Sequence, residues 1–332
     1  MKKLFQLFSV AAIVLVAAAC EKSSVGETGE EVQVSYTVNL GSATKAVGDA
    51  SNVNVVACAV YKINEDSNST KTYSLIESTK NNVFVNGGAA TYSPVLIKGQ
   101  TYRIVFFAYH QEGATSVSCE YVAANAAYDV TDLSKVKANN YLNNNENLDA
   151  FAKYVDFTVG TEVNPSVVLV RPVAQLNIGV TEADWNNAVA LGETPTLSGI
   201  KITVPVNEYN AVTGEVNSLN TSVELDYTKN SIVNATFNPK ETGTQENVDY
   251  KYLSLTYVFA TASGASTTAD LALTIYNQSD AEMFKTTALT NIPLKANHKT
   301  NIYGTLMTGT VNYNISLDKG FDDEEINNDL DN

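Results

Sequence analysis

Few side chains in this 332-residue sequence have chemistry to offer: three cysteines, two histidines, one tryptophan and an acidic run, "DDEEINNDLDN", near the C-terminus. His110 and His298 lie far apart, and neither has a companion at metal-ligand spacing, so no metal site is expected. No Gly-x-Ser-x-Gly elbow, phosphate-binding glycine loop or HExxH helix occurs. No catalytic residue and no cofactor can be nominated, and the chain does not read as an enzyme. A surface glycosidase would need two carboxylates converging in a cleft, and the acidic run reads as a solvated end that imposes no ligand geometry on calcium. Trp185 sits in "EADWNNAVAL", a predicted short helix, where core packing is the ordinary role and sugar stacking the special one. Cys58 and Cys119 fall in the strand-like runs "NVVACAV" and "TSVSCEYV". They read either as one disulfide of an exported domain or as two small buried hydrophobes. The third, Cys20, closes an apolar run ending "LVAAAC".

That run explains the compartment. Lys2 and Lys3 precede apolar residues from Leu4 to Ala19, the layout of a secretory signal, and the run is too short for a comfortable transmembrane span. A cysteine directly after the small residues reads as a lipobox, with Cys20 acylated and anchored in lipid. Ordinary cleavage with an incidental thiol is the other reading. Residues 20–30 are then a polar, acidic tether. Net charge is −15, and loss of residues 1–19 removes two lysines and no acid, leaving −17. Such a surface repels nucleic acid and anionic membrane.

The elements that would carry any site are strands. Tyrosine is abundant (18), with many Val, Thr and Asn, and alternating runs follow one another with little helix between them. In "EVQVSYTVNL", Val32, Val34, Tyr36, Val38 and Leu40 share one face of a single strand. A soft stretch follows, "GSATKAVGDA", with Lys45 at its centre and small residues able to enter a protease cleft. Gly87-Gly88 marks a hairpin, and Arg103–Tyr109 is apolar enough for a central strand. Residues 129–154 are Asn-rich and read as a long surface excursion with short helical turns. A boundary near Val170–Pro172 divides the chain into two all-β sandwiches in series, 31–170 and 171–332. Near the end, "VNYNISL" places Val311, Tyr313, Ile315 and Leu317 on one face, almost the template of residues 32–40.

Four segments carry a family resemblance. "LTNIPLKANHKTNIYGTLMTGTVNYNISLDKGFDDE" resembles the closing signature of the fimbrillins, the lipoprotein precursors of protease-matured (type V) pili. "VLVRPVAQLNIGV", "LDAFAKYVDFTV" and "ATKA" are similar to other segments of that family, so the resemblance spans nearly the whole chain. It implies two transthyretin-like sandwiches, export as a lipoprotein to the outer-membrane surface, and cutting by a trypsin-like protease between Lys45 and Ala46. It further implies assembly by strand exchange with other pilus subunits and a place in the pilus after maturation. The displaced strand would be residues 32–40, and the donor would lie in residues 309–332. A non-polymerising surface lipoprotein that binds glycan or host protein, or an uncleaved anchor subunit, is the alternative.

Overall fold

The computed structural model describes residues 29–41, 50–160, 165–239, 248–262, 266–286, 288–308, 311–318 and 321. It is an all-β protein with sandwich-like layers. The first half comprises β1 (Glu31–Gln33), β2 (Tyr36–Asn39), β3 (Val55–Glu65), β4 (Lys71–Leu75), β5 (Asn81–Phe84), β6 (Ala89–Tyr92), β7 (Val95–Ile97), β8 (Thr101–Tyr109), β9 (Tyr128–Asp129), β10 (Lys137–Ala138), β11 (Phe151–Thr158) and β12 (Ser166–Val168). One layer runs β11-β8-β3-β4, with β5 also on β3. The opposing layer is β12-β2-β6, extended by the pair β1-β7. Gly87 and Gly88 make the turn into β6 with φ of 60° and 82°, values that favour residues without a Cβ.

The second half comprises β13 (Val173–Val180), α1 (Glu182–Ala190), β14 (Pro195–Asn210), β15 (Glu215–Ser231), β16 (Thr236–Phe237), β17 (Tyr250–Phe259), β18 (Thr267–Asn277), β19 (Glu282–Lys285), β20 (Leu289–Leu294), β21 (Lys299–Thr305) and β22 (Asn312–Leu317). Its sheets are β16-β17-β13-β21-β22 and β15-β14-β18-β19, with β20 also on β18. The expected helix is present as α1. Thr181 caps it by accepting from the Asp184 N–H at 3.2 Å. No helix among the described residues is long and apolar enough to cross a membrane.

The fold departs from the sequence pattern in two places. The first strand is not continuous. The chain opposite it carries Pro94, which has no N–H to give, so Val34 donates to Pro94 O at 3.0 Å and the ladder breaks between β1 and β2. The Asn-rich stretch 129–154 is not a surface excursion. Val130, Leu133, Val136 and Leu148 are buried, and so are Asn143 and Asn144. These amides serve strand backbones: Asn143 Nδ2 donates to Ser198 O at 3.0 Å, and Asn144 Oδ1 accepts from Leu255 N at 2.9 Å. Asn144 takes the place of a ladder partner at Leu255, whereas Asn143 adds a bond to a β14 residue already paired on both sides.

The halves are joined by more than a linker. In β3 and β8 both faces are covered. Val56, Cys58, Val60, Ile104 and Phe106 belong to the core under β2, while Ala57, Ala59, Val105 and Phe107 belong to a larger cluster that continues into the second half. Phe107 lies 6.2 Å from Tyr209 and 5.4 Å from Tyr128, and Tyr128 and Tyr209 lie 5.5 Å and 5.6 Å from Phe259 (ring centroids). Arg103 grips Asp156 at 2.7 and 3.0 Å and donates across the divide to Val212 O at 2.9 Å. Phe107→Ala should therefore cost about 3–5 kcal/mol. Urea unfolding of this variant should weaken both halves together, with Trp185 fluorescence and far-UV circular dichroism giving coincident midpoints. Separated midpoints would contradict a shared core.

Candidate functional site: the first strand, its trough and the closing strand

The trough around the first strand is built from both layers. β2 lies between β6, to which it is antiparallel (Tyr36 opposite Tyr92), and β12, to which it is parallel (Thr37 opposite Ser166). Alternation turns Val34, Tyr36 and Val38 inward, at 3 %, 0 % and 1 % exposure. Val32 and Leu40 are only half-buried at the two ends. The Tyr36 ring sits 5.4 Å from Phe157, edge-on, and 6.0 Å from Phe106. Its hydroxyl is buried with no partner, and burial beside Tyr92 pushes the phenol far above its ordinary pKa. On the outer face Ser35 Oγ meets Ser93 Oγ at 3.1 Å, and Asn39 Nδ2 donates to Ser166 Oγ at 3.0 Å.

The inward side chains of this strand contribute on the order of 5–10 kcal/mol before the entropy of ordering. Whole domains are stable by roughly 5–15 kcal/mol. A trough emptied of residues 29–41 would expose an apolar floor and the unpaired edges of β6, β7 and β12 together.

The closing strand has the opposite character. Among the described residues β22 is an edge strand, paired with β21 alone. Ile315 pairs with the fully buried Ile302, so both point to the same side of the sheet, yet Ile315 is 39 % exposed. Val311 is 48 % and Leu317 36 % exposed; Tyr313 is half-buried against the large core. Gly304 lies under the strand so closely that a Cβ there would sit 2.2 Å from Asn312 O. On the other face a row of amides reaches β22: Gln175 Nε2 to Asn177 Oδ1 at 2.8 Å, Asn177 Nδ2 to Asn301 Oδ1 at 2.8 Å, and Asn301 Nδ2 to Ser316 Oγ at 3.4 Å.

Polar groups fix both ends of this weakly covered strand. Before it, the buried Asp184 carboxylate accepts the N–H groups of Leu306 (2.8 Å), Met307 (2.9 Å) and Thr308 (2.8 Å), and the Thr308 hydroxyl. After it, Phe321 lies over the Arg171 guanidinium at 3.9 Å, and Arg171 is held on Asp149 through Nε (2.9 and 3.1 Å) and Nη2 (3.0 Å). Both partners of the ion pair are 2 % exposed, and Phe151 covers the guanidinium at 4.4 Å. Burial pushes the Asp149 carboxyl above its ordinary value, with Arg171 pulling the other way. None of these holding residues stood out in the sequence. Arg171 marked only a boundary, and Asp184 was one acid in a predicted helix.

The remaining candidates fall elsewhere. Cys20, Lys45 and Ala46 lie outside the described residues. Cys58 and Cys119 are free thiols, not a disulfide: Cys58 points into the core under β2, while Cys119 packs against the large cluster on the other side of the sheet. Burial raises both thiols, Cys58 strongly. His110 Nδ1 meets Asn52 O and His298 Nδ1 meets Ala296 O, each at 2.7 Å. Among the described residues no group of three or more His, Cys, Asp or Glu could hold a metal. Trp185 packs against the large core, with Lys251 Nζ 5.5 Å above its ring. A recess of about 1080 Å³ opens beside β3, over Ala57 and Ala59, with Tyr73, Asn82, Asp132 and Thr213 among its walls.

The model of a family described as a family of unknown function (DUF6562) matches residues 24–332. No curated protein matches the chain. Solved structures similar to it include one from Bacteroides ovatus, provisionally described as a cell adhesion protein, at 11% identity and TM-score 0.42, covering 87% of this chain and 97% of that one. A second, from Parabacteroides distasonis and described in the same way, has 14% identity and TM-score 0.42 over 86% and 96% of the two chains. A fimbrial assembly protein from Parabacteroides distasonis has 13% identity and TM-score 0.38 over 87% and 100%.

Arg171→Ala would strand Asp149 in the interior and should destabilise the fold by about 3–5 kcal/mol in urea unfolding. The paired change Arg171→Met with Asp149→Leu, which removes both charges, should recover most of that loss.

Proposed function

We propose that this chain, which belongs to the DUF6562 family of unknown function, is a non-catalytic structural subunit of a cell-surface fimbria that serves adhesion. It is exported as a lipoprotein anchored in the outer membrane through Cys20, and a trypsin-like protease cuts between Lys45 and Ala46. The cut frees residues 29–41 from the body of the subunit, and β22 of another subunit takes their place. Addition of a strand to an open trough is a general mode of peptide recognition, and a head-to-tail contact of this kind does not close on itself, so it yields fibres.

The observation that carries this reading is a contrast between two strands of one pattern. Val34, Tyr36 and Val38 are 0–3 % exposed where they lie, whereas Val311, Ile315 and Leu317 are 36–48 % exposed. The same side chains buried in the trough would lose that contact with water, so exchange is favoured by burial. The half-exposed, alternating strand at the sheet edge is a poor resident and a good guest. The resemblance of the sequence to fimbrillins supports the same reading.

A second reading rests on the recess beside β3, whose mixed tyrosine, amide and carboxylate lining suits a glycan. In that reading the protein stays monomeric and uncut while it binds.

Mild trypsin on the purified precursor should give a product beginning at Ala46, followed by concentration-dependent oligomers. Lys45→Gln should block both. Deletion of residues 309–332 should allow the cut and abolish filaments in electron micrographs. Normal filaments from the truncated protein would refute exchange through β22, and a stable monomer with bound glycan would favour the recess.

A further inference from the structure

We infer that the trough accepts the closing strand of a second copy in one register and one direction, with Tyr313 in the place of Tyr36; this rests on the exchange reading above. Laid over the first strand, β22 puts Val311 on Val34, Tyr313 on Tyr36, Ile315 on Val38 and Leu317 on Leu40. Asn312, Asn314 and Ser316 fall on Ser35, Thr37 and Asn39.

Shape selects the register. The Tyr36 position is an aromatic seat, closed by Phe157 and Phe106, and the positions on either side are filled by valines at 3 % and 1 % exposure. A slip of two residues would put Val311 or Ile315 in the aromatic seat and leave it part empty. It would also force Tyr313 into a site shaped for valine, and overpacking is costly too. A slip of one residue would turn the asparagines inward.

Backbone selects the direction. The flanking strands already present bonds for an occupant parallel to β12 and antiparallel to β6: Thr37 N donates to Pro165 O at 3.0 Å and Leu169 N to Asn39 O at 2.9 Å on one side, with Leu40 N to Gly88 O at 2.9 Å on the other. Parallel and antiparallel ladders space their bonds differently, so a reversed occupant matches neither flank. The polar rim agrees. Asn312 arrives opposite Ser93, and Ser316 takes the place of Asn39, whose amide reaches diagonally to Ser166, so hydroxyl and amide groups already pair at both positions. The seat reads the tyrosine ring and not its oxygen, because the Tyr36 hydroxyl has no partner there.

Cross-linking tests this. Thr37 lies directly opposite Thr91, and both face outward. One precursor carries Thr91→Cys and another Asn314→Cys, each with Cys119→Ser. The two are mixed, treated with trypsin and oxidised mildly. A disulfide-linked dimer should form with Asn314→Cys, and it should be absent when Asn312→Cys or Ser316→Cys replaces it. Filaments that link through Asn312→Cys or Ser316→Cys would overturn the register while leaving exchange standing. No filaments from unsubstituted, fully cut protein would overturn both. Tyr313→Phe should assemble like the unsubstituted chain, whereas Tyr313→Ala should slow assembly about tenfold or more. Equal assembly by the alanine variant would count against the aromatic seat.

Discussion

A strand in the middle of a layer cannot leave without uncovering what it covers. β2 is such a strand, bonded on both sides and buried along one face. Removing it would break two ladders and open the core beside Phe106 and Phe157, which the Tyr36 ring now covers. The core of the first half thus needs an alternating apolar strand in this place. Hydrophobic burial is non-directional, and the backbone bonds on either flank are indifferent to sequence. The fit of residues 34–38 is set by alternation and by the Tyr36 ring.

The second half holds its closing strand by a different principle. β22 contributes little to the apolar core, and it is positioned by polar groups at its two ends. Asp184 collects three backbone N–H groups before the strand, and the Arg171–Asp149 pair receives Phe321 after it. Polar restraints of this kind fix geometry while adding modest net stability, since water can replace each bond. The interior ion pair is an exception, because it can lose neither partner without leaving a buried charge.

Strand content was legible in the sequence because period-2 alternation and continuous apolar runs report burial directly, as in β3 and β8. What escaped had non-local causes. The break at Val34 depends on Pro94, sixty residues along the chain, which no local pattern announces. Asn143 and Asn144 look solvated by composition, and their burial follows from bonds to β14 and β17 that only the fold supplies. Arg171 and Asp149 are separated by 22 residues and show no spacing rule. The pattern of Val311–Leu317 gave the strand and its apolar face, but alternation cannot say whether that face meets a core or the edge of a sheet.

The aromatic chain that links Phe107, Tyr128, Tyr209 and Phe259 has a mechanical consequence. Two beads on a flexible string would stretch at the string when pulled. Here the rings interlock across the divide, and the Arg103 grip on Val212 O lies beside them. A load crossing from one half to the other would therefore pass through packed side chains as well as through the backbone that joins them.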